Sequence, residues 1–214
     1  MNSLFKKKSY RLSIIGSKNA FPVHNLYFVG RNYAGHSLEM GEDEKVPPFF
    51  FSKPTWTIAK ASIPYPKDTH KLQHEVELVI AVGEHSKIYG FGVGVDLTRR
   101  DLQKDAKKNG KPWFRGKTFQ GSSVISDLIY FDKEIDFSDL KLELTVNDQL
   151  KQSGNCIDMI WNPNEILCEL SKDFDLEAGD LIFTGTPNGV GDLEKGDLIT
   201  ASIPGFIAHS FSII

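Results

Sequence analysis

The feature that most constrains the fold of this chain is a pair of acidic residues at the start of an almost unbroken apolar run. Glu75-Val76-Glu77 leads directly into residues 78–82, none of which is polar. Such a run predicts a buried strand, and in a strand residues two apart point to the same side. The two carboxylates should therefore lie side by side, an arrangement that costs several kcal/mol at a partly buried site unless a cation neutralises it.

A third acid strengthens the case for a bound cation. An isolated Glu-x-Glu pair more often lies at a solvated strand end. Asp96, however, ends the glycine-alternating segment 90–95 and directly precedes a predicted helix, a junction where functional residues are common. Three carboxylates without a nearby cysteine or paired histidine would select a hard ion, Mg²⁺ or Mn²⁺, rather than Zn²⁺. On spacing alone, a metal site and a solvated acidic patch both remain open.

The other patterns predict a mostly β fold with few helices. Further segments of strand length and apolar character lie at 12–16, 26–30, 89–95, 140–146, 180–184 and 197–203. One predicted helix spans residues 98–108, with Thr98 and Asp101 at the spacing of a capping box. The other spans residues 162–174, with Asn162 as its cap and Glu165 closing the box.

Composition argues against several classes of protein. The chain has 214 residues and a formal net charge of −3, so it lacks the basic excess that holds a phosphate backbone, and we expect no nucleic-acid partner. No apolar run reaches the roughly 18–20 residues that span a bilayer, so we expect no membrane partner and a cytoplasmic location. Cys156 and Cys168 lack the spacing of a zinc site and are expected to be buried free thiols.

A series of motifs, in order along residues 25–214, resembles one enzyme family. The motifs are GRNYAGH at 30–36, KP at 53–54, HEVEL at 74–78, GVGVDLTRRDLQ at 92–103, GKTF at 116–119 and TGTPNGVG at 184–191. On these segments the chain resembles the fumarylacetoacetate hydrolase family, in its acylpyruvate hydrolase (fumarylpyruvate hydrolase-like) branch. The resemblance implies an α+β, mostly β fold, a mixed β-roll or sandwich with a few short helices. In it, residues 1–24 form a short N-terminal segment packed on a catalytic domain of residues 25–214.

The resemblance also implies a complete site. The residues that it assigns to the metal, to catalysis and to the substrate are, respectively, Glu75, Glu77 and Asp96; His36, Glu39 and Lys117; and Arg100, Gln103 and Thr186. The implied cofactor is one Mg²⁺ or Mn²⁺ per chain. The implied partners are a small 2-oxo or 2,4-dioxo acid and a second copy of the chain in a homodimer.

Spacing adds a chemical reason for two of these assignments. His36 and Glu39 are three residues apart, so one helical turn puts them on the same face, where a carboxylate raises the basicity of an imidazole. The pattern alone favours an exposed polar face, and only the resemblance makes the pair a water-activating dyad on a lid. Arg100 and Gln103 share this spacing, and arginine suits a carboxylate. His74 points away from Glu75 and is expected behind the site or at the surface.

Two further segments have a structural interpretation. Residues 185–191 are rich in glycine but lack the Gly-Lys-Ser/Thr ending of a phosphate loop. We expect instead a tight turn at 186–189 that exposes backbone amides and the Thr186 hydroxyl to a substrate carboxylate. The triplet Phe49-Phe50-Phe51 is expected to belong to the core.

Three functions compete. The leading one is metal-dependent hydrolysis of the carbon–carbon bond of an acylpyruvate, a 2,4-dioxo acid such as fumarylpyruvate, to pyruvate and a carboxylic acid. The second uses the same metal–enolate site for decarboxylation of oxaloacetate or isomerisation of a dienoate. The third is a non-catalytic domain that binds a small oxo acid. The full set of catalytic residues argues against the third, and the water-activating dyad favours the first over the second.

Overall fold

A computed structural model describes residue 4 and residues 8–33, 45–131 and 135–214 of the chain. Within these residues the chain forms eighteen strands and three helices, so the expected mostly β fold is confirmed. The strands are β1 (Tyr10–Ser13), β2 (Ala20–Val23), β3 (Leu26–Val29), β4 (Phe50–Lys53), β5 (Ile58–Ala59), β6 (Ser62–Ile63), β7 (Leu72–Gln73), β8 (Val76–Val82), β9 (Ile88–Asp96), β10 (Thr98–Arg99), β11 (Ser123–Ile125), β12 (Ile129–Tyr130), β13 (Lys141–Val146), β14 (Gln149–Asn155), β15 (Leu181–Phe183), β16 (Asp192–Leu193), β17 (Leu198–Ile203) and β18 (Ile207–Ile213). The helices are α1 (Arg100–Lys108), α2 (Phe114–Lys117) and α3 (Pro163–Leu170).

The strands form two large sheets and two small ones. The larger has eight strands in the order β4-β3-β15-β8-β9-β11-β5, with β12 also paired to β9. The second has five strands in the order β14-β13-β17-β18-β6. The small sheets are β1-β2 and β10-β7-β16. β8 therefore lies in the middle of the larger sheet.

The two large sheets share one apolar core. Leu78 and Phe91 of the larger sheet lie in the same cluster of buried side chains as Leu144 and Phe211 of the smaller one. The other face of β8, represented by Val79, packs in a second cluster with residues of β1 and β2. Because both faces of β8 are covered, all seven of its residues are buried. A glutamate on this strand must therefore be buried with it.

The pairing of β8 with β9 places the acidic residues. The two strands are joined by a short 3₁₀ turn, Glu84–Ser86, and run antiparallel, so the end of β9 lies beside the start of β8. The alternating glycines of β9 leave room for the neighbouring backbone, since a Cβ on Gly90 would lie 2.4 Å from the Ile129 carbonyl oxygen. Beside Gly94, the space that a side chain would take is filled by Phe183 and Val79.

The first strands pack on the larger sheet. β1 and β2 form an antiparallel pair, and Leu12 and Phe21 are buried in the cluster that also contains Leu26. The division of the chain into residues 1–24 and 25–214 stays a prediction.

Both predicted helices form, but the first begins later than expected. α1 starts at Arg100 because Thr98 belongs to β10, which pairs with β7. The predicted capping box of Thr98 and Asp101 is wrong: no side chain caps α1, and Asp101 Oδ1 accepts a hydrogen bond from the Thr69 hydroxyl at 2.6 Å. The second helix, α3, has the predicted capping box of Asn162 and Glu165, but it ends at Leu170.

Two expectations about burial are wrong. Phe49 precedes β4 and is 46% exposed, and Phe51 is only half-buried. Cys168 is exposed because it lies on the side of α3 opposite Ile166, whereas Cys156 is buried and both thiols are free. Among the described residues, no helix is long and apolar enough to span a bilayer.

Candidate active site

Three carboxylates meet where β8 begins and β9 ends. Glu75 directly precedes β8, Glu77 is its second residue, and Asp96 is the last residue of β9. The register pairs Val76 with Val95, and the Asp96 amide donates to the Glu75 carbonyl at 2.8 Å. Strand pairing therefore brings the acids together. One oxygen from each lies within 4.8 Å of the others, and all three residues are buried.

Lys117 lies between two of these acids. Its Nζ donates to Glu75 Oε2 and Asp96 Oδ2, both at 2.6 Å, and to the Thr98 hydroxyl at 2.8 Å. The side chain comes from α2, which packs against α1. Burial alone would lower the pKa of Lys117, but the charges of Asp96 and Glu75 outweigh burial and raise this pKa. Lys117 is therefore a fixed cation at neutral pH.

Two more cations border the acids. Lys53 is buried, and its Nζ donates to Asp96 Oδ1 at 2.5 Å and to the Ser122 carbonyl at 2.9 Å. Burial lowers the pKa of Lys53 to about 8, with the charge of Asp96 acting in the opposite direction. Arg100 pairs with Glu75. Three cations thus lie against the three acids.

The three cations do not contact the three acids equally. Burial would raise the pKa of Glu75, but Lys117 and Arg100 outweigh it and lower the pKa to about 2. In the described part of the chain, the ion pairs of the cluster involve Glu75 and Asp96 but not Glu77. Burial, reinforced by Asp96 and Glu75, raises the pKa of Glu77 well above its usual range, although the Gly185 amide donates to its Oε2 at 2.6 Å.

This arrangement fits a divalent cation. Lys117 only partly offsets the burial of Glu77 and the charges of Asp96 and Glu75 beside it, and a cation would supply the positive charge that its ionised form needs. The ligand atoms of the cluster are all carboxylate oxygens, which hard ions such as Mg²⁺ and Mn²⁺ prefer. Because each carboxylate oxygen has two lone pairs, Glu75 and Asp96 can bind an ion and still accept from Lys117.

Two of the acids, Glu75 and Glu77, border a cavity of about 170 Å³. Its lining includes the ring of Phe51, whose centroid lies 5.3 Å from Lys117 Nζ. The cationic residues along it are Arg31, Arg100, Lys107 and Lys117. The volume suits a small organic acid, and the cationic lining suits an anion.

A larger cavity lies elsewhere. It measures about 420 Å³ and is lined by residues of α3 and of the 3₁₀ turns Phe137–Asp139 and Cys156–Asp158. Two of its charged residues, Lys45 and Glu165, pair with each other at 2.8 Å. None of Glu75, Glu77 and Asp96 lines it, so volume alone does not identify the site.

The predicted substrate residues lie beside the acids. Arg100 Nη1 donates to Gln103 Oε1 at 2.5 Å, and Arg100 Nε donates to Gln73 Oε1 at 2.5 Å. This network fixes the guanidinium on the face of α1 that borders the cavity. Thr186 lines the same cavity. The structure therefore brings Arg100, Gln103 and Thr186 together, and their roles toward a substrate stay predictions.

The segment that carries Thr186 is not the tight turn expected. The chain passes residues 184–187 without turning and bends only at Asn188. The reason is continued contact with β8, because the Thr184 amide donates to the Leu78 carbonyl at 3.0 Å and the Gly185 amide donates to Glu77. The Gly185 amide is thus committed to a carboxylate of the protein.

His36 and Glu39 lie outside the described residues, so their role as a water-activating dyad stays a prediction. The described residues just before them are well fixed. Asn32 is buried and donates to two backbone carbonyls, each at 2.8 Å, and Tyr33 lines the cavity.

Sequence reasoning missed four residues that complete the site: Arg31, Lys53, Lys107 and Gln152. Arg31 and Lys53 lie in the family-like motifs but carry no local signal of burial or charge pairing. Lys107 follows Gln103 by four residues on α1, a spacing that signals a shared face. Gln152 gives no signal, because it lies on a strand whose other side chains are exposed or half-buried.

The chain is similar to known proteins over most of its length. The profile of the family described as fumarylacetoacetate (FAA) hydrolase C-terminal matches residues 25–212. Fumarylpyruvate hydrolase of Ralstonia sp is 38% identical over 177 residues, which cover 77% of this chain and 92% of that protein. Oxaloacetate tautomerase YcgM of Escherichia coli (strain K12) is 38% identical over 198 residues, which cover 86% and 90%.

A solved structure extends the likeness to the whole chain. Fumarylpyruvate hydrolase from Pseudomonas aeruginosa, in complex with Mn²⁺ and pyruvate, has a TM-score of 0.90 and 36% identity to this chain. The match covers 100% of this chain and 99% of the other.

Proposed function

Because the chain belongs to the fumarylacetoacetate hydrolase family, we propose that it is a metal-dependent hydrolase that cleaves the carbon–carbon bond of an acylpyruvate. The substrate would be a 2,4-dioxo acid such as fumarylpyruvate. The observation that carries the proposal is the buried cluster of Glu75, Glu77 and Asp96, held to Lys117 at a small cationic cavity. The similar enzyme solved with Mn²⁺ and pyruvate supports it, since pyruvate is a product of every acylpyruvate hydrolysis.

The three acids would hold one Mg²⁺ or Mn²⁺. When bound, the ion supplies a Lewis acid that stabilises negative charge on the oxygens of a 2-oxo acid. Lys117 keeps its proton because Asp96 and Glu75 raise its pKa, so it acts as a fixed hydrogen-bond donor and not as a base. Its three N–H groups donate to Glu75, Asp96 and Thr98, so it would stabilise the enolate charge of pyruvate through its positive charge and not through a further hydrogen bond.

His36, oriented by Glu39, would activate the water. His36 takes one proton from the water as the water oxygen attacks the C4 carbonyl of the substrate. The C3–C4 bond then breaks, its electron pair passes to the pyruvate enolate, and the acyl carbon leaves as a carboxylic acid. Return of the proton to C3 gives pyruvate, so each turnover consumes one water and restores His36.

The cationic lining favours a substrate with a carboxylate at each end. Lys53, Lys117 and Arg100 pair with Glu75 and Asp96, and a divalent ion would compensate Glu77, so the charges of Arg31 and Lys107 are in excess. Burial and the charges of Arg100 and Lys117 lower the pKa of Lys107, and an anionic group beside it would offset that effect. Fumarylpyruvate carries such a second carboxylate. Arg100, Gln103 and Thr186 would bind the carboxylates together with these cations.

A second candidate function is oxaloacetate chemistry at the same site. It is supported by the similarity to the Escherichia coli oxaloacetate tautomerase. Neither tautomerisation nor decarboxylation of oxaloacetate needs an activated water, and both pass through an enolate that the described residues could stabilise. Tautomerisation also needs a group that moves the proton at C3. Isomerisation of a dienoate depends on the same enolate stabilisation.

A substrate panel distinguishes these functions. The protein with Mg²⁺ or Mn²⁺ is given fumarylpyruvate, an acylpyruvate with a neutral acyl group, and oxaloacetate. Loss of dioxo-acid absorbance, release of CO₂ and enol–keto exchange are followed. We expect the highest kcat/KM for fumarylpyruvate. A higher kcat/KM for oxaloacetate would transfer the assignment to the second candidate.

His36→Ala sharpens the distinction. Without its general base the variant should lose hydrolysis by about 100-fold or more, while decarboxylation of oxaloacetate falls by less than about tenfold. His70→Ala changes an exposed histidine and serves as the control. Equal losses in the two reactions would remove His36 from water activation.

Three further properties belong to the proposal. We expect a homodimer, a cytoplasmic location, and Mg²⁺ or Mn²⁺ as the ion in the cell. Sedimentation of the purified protein tests the first, and metal analysis of protein isolated without added ions tests the last.

A further inference from the structure

Gln152 is the one buried side chain among the seven residues of β14. Its burial follows from its register, because Gln152 faces Leu144 of β13, which is fully buried. The next residue of β13, Thr145, faces Leu150, so Lys151 is an extra residue on β14. This bulge shifts the register of the residues that precede Gln152 on β14. Gln152 itself points inward with Leu144, toward the start of β8.

The side-chain amide of Gln152 has four hydrogen-bonding partners. Its Oε1 accepts from the Val76 amide at 3.0 Å and lies 2.8 Å from His74 Nδ1. Its Nε2 donates to the Thr186 hydroxyl oxygen and to the Pro187 carbonyl, both at 2.9 Å. A glutamine amide has two donor hydrogens and one oxygen that can accept twice, so the group is fully satisfied.

These partners determine which end of the amide is the oxygen. The Val76 amide can only donate and the Pro187 carbonyl can only accept, so a flipped amide would lose both bonds. Nε2 must therefore donate to Thr186, and the Thr186 oxygen is the acceptor in that bond. The Thr186 hydroxyl hydrogen is left for another partner, and Thr186 lines the cavity beside the acids.

We infer that Gln152 is a positioning residue that commits the Thr186 hydroxyl to donate a hydrogen bond to the carboxylate of a 2-oxo acid in the cavity. The inference rests on the proposed function of that cavity. A free hydroxyl can donate or accept, but Gln152 occupies the acceptor side of this one. A carboxylate offers only acceptors, so the bond is charge-assisted and favours an acid over a ligand that presents an N–H group.

Backbone contacts hold the two residues at this distance. A Cβ on Gly189, where φ is +99°, would lie 2.2 Å from the Lys151 carbonyl oxygen. A Cβ on Gly154 would lie 2.4 Å from Pro187 Cβ. The segment that carries Thr186 therefore rests directly on β14 on both sides of Gln152, and glycine is required at both contacts.

A double-mutant cycle on ligand affinity tests the inference. Calorimetry measures the Kd of pyruvate, in the presence of Mn²⁺, for the parent protein, Gln152→Glu, Thr186→Val and the double variant. Gln152→Glu replaces Nε2 by an oxygen that accepts the Thr186 hydrogen and so turns it away from the cavity. We expect each single variant to weaken pyruvate binding about tenfold, the effect of one hydrogen bond to a charged group. The double variant should bind no more weakly than Thr186→Val.

Two further variants separate positioning from a structural role. In a Thr186→Ser background, which keeps the hydroxyl, Gln152→Glu should still weaken binding about tenfold. Gln152→Met removes the donor without adding an acceptor or a charge, and it should weaken binding less than Gln152→Glu. Three results would overturn the inference. They are additive losses in the Thr186→Val background, an unchanged Kd in Gln152→Glu, and loss of the folded state in both Gln152 variants.

Pyruvate is the probe because its binding does not depend on which reaction is correct. With fumarylpyruvate, Gln152→Glu should raise KM about tenfold and change kcat less than about threefold, as expected when uniform binding is lost. Suppose that the parent protein binds pyruvate with the expected coupling between Gln152 and Thr186 but hydrolyses no acylpyruvate. That result would overturn the proposed reaction and support the role of Gln152. A parent that binds no pyruvate would overturn both.

Discussion

Glu75 and Glu77 are two residues apart on one strand, yet their pKa values move in opposite directions. Glu75 contacts Lys117 and Arg100, which outweigh its burial. Glu77 is equally buried, but its described partner is the neutral amide of Gly185. Neighbouring groups with separated pKa values are typical of functional sites. At the residue scale, positive charge is missing beside Glu77, which is where we expect the ion to act most strongly.

The lack of positive charge beside Glu77 should make the stability of the metal-free protein depend on pH. Glu77 has a folded pKa above its ordinary value of 4.5, so the folded state binds more protons than the unfolded state above that pH. The free energy of unfolding should therefore fall as pH rises from about 4.5 toward the raised pKa of Glu77. Glu77→Gln removes this effect and, with chelator present, should be the more stable protein at pH 7 in urea unfolding.

Added Mn²⁺ should make the parent more stable than Glu77→Gln, because an ion that binds only the folded parent stabilises it by mass action. If metal-free parent and Glu77→Gln show the same pH dependence between pH 5 and pH 7, Glu77 is not the uncompensated charge.

At the scale of elements, the helix starts show what local sequence specifies. The capping box of α3 forms because Asn162 and Glu165 find their partners within three residues. The same pattern before α1 fails because distant groups compete: Lys117 donates to Thr98 at 2.8 Å, and Asp101 accepts from Thr69, 32 residues away. A local pattern predicts a cap only where no remote partner takes its side chains.

Asn162→Ala should therefore destabilise the protein without affecting the site. Loss of the cap should cost about 1 kcal/mol and lower the melting temperature by roughly 2–4 °C, while kcat and KM stay unchanged. Asn164→Ala, an exposed position of the same helix, is the matched control and should leave the melting temperature unchanged. Equal shifts in the two variants would show that the cap contributes nothing.

The strands and the acidic cluster could be predicted from the sequence because their signals are local. The apolar run after Glu77 marks β8, and a period of two puts Glu75 and Glu77 on one side. The contacts around them could not be predicted in this way. Lys53 meets Asp96 across 43 residues, and Gln152 meets His74 across 78. Such contacts depend on how segments far apart in the sequence pack against one another, which no local pattern records.

At the scale of the whole molecule, the site depends on both large sheets. Glu75, Glu77 and Asp96 lie at one strand pair of the larger sheet, whereas Gln152 belongs to the smaller one. The metal cluster should therefore tolerate small changes in the packing between the sheets. The contact between Gln152 and Thr186 should not.

Leu144→Ala tests whether packing between the sheets affects the Gln152–Thr186 contact more than it affects the metal cluster. Leu144 is fully buried in the core that the sheets share, so its truncation should cost about 2–5 kcal/mol of stability. We expect pyruvate affinity to fall by more than about threefold with Mn²⁺ affinity nearly unchanged, because Thr186 loses its register with β14. Leu150→Ala, at a position 57% exposed on the paired strand, is the control. A larger loss of Mn²⁺ affinity than of pyruvate affinity would contradict this prediction.

The central claim is that one divalent ion at Glu75, Glu77 and Asp96 supports carbon–carbon hydrolysis. The most direct measurement is the rate of fumarylpyruvate hydrolysis by chelator-treated protein as Mg²⁺ or Mn²⁺ is titrated back. Chelation should lower the rate by about 100-fold or more, and the parent rate should return when one ion is bound per chain. Glu77→Gln should remain inactive at the same ion concentrations. Full activity in protein shown by metal analysis to be free of ions would contradict the claim.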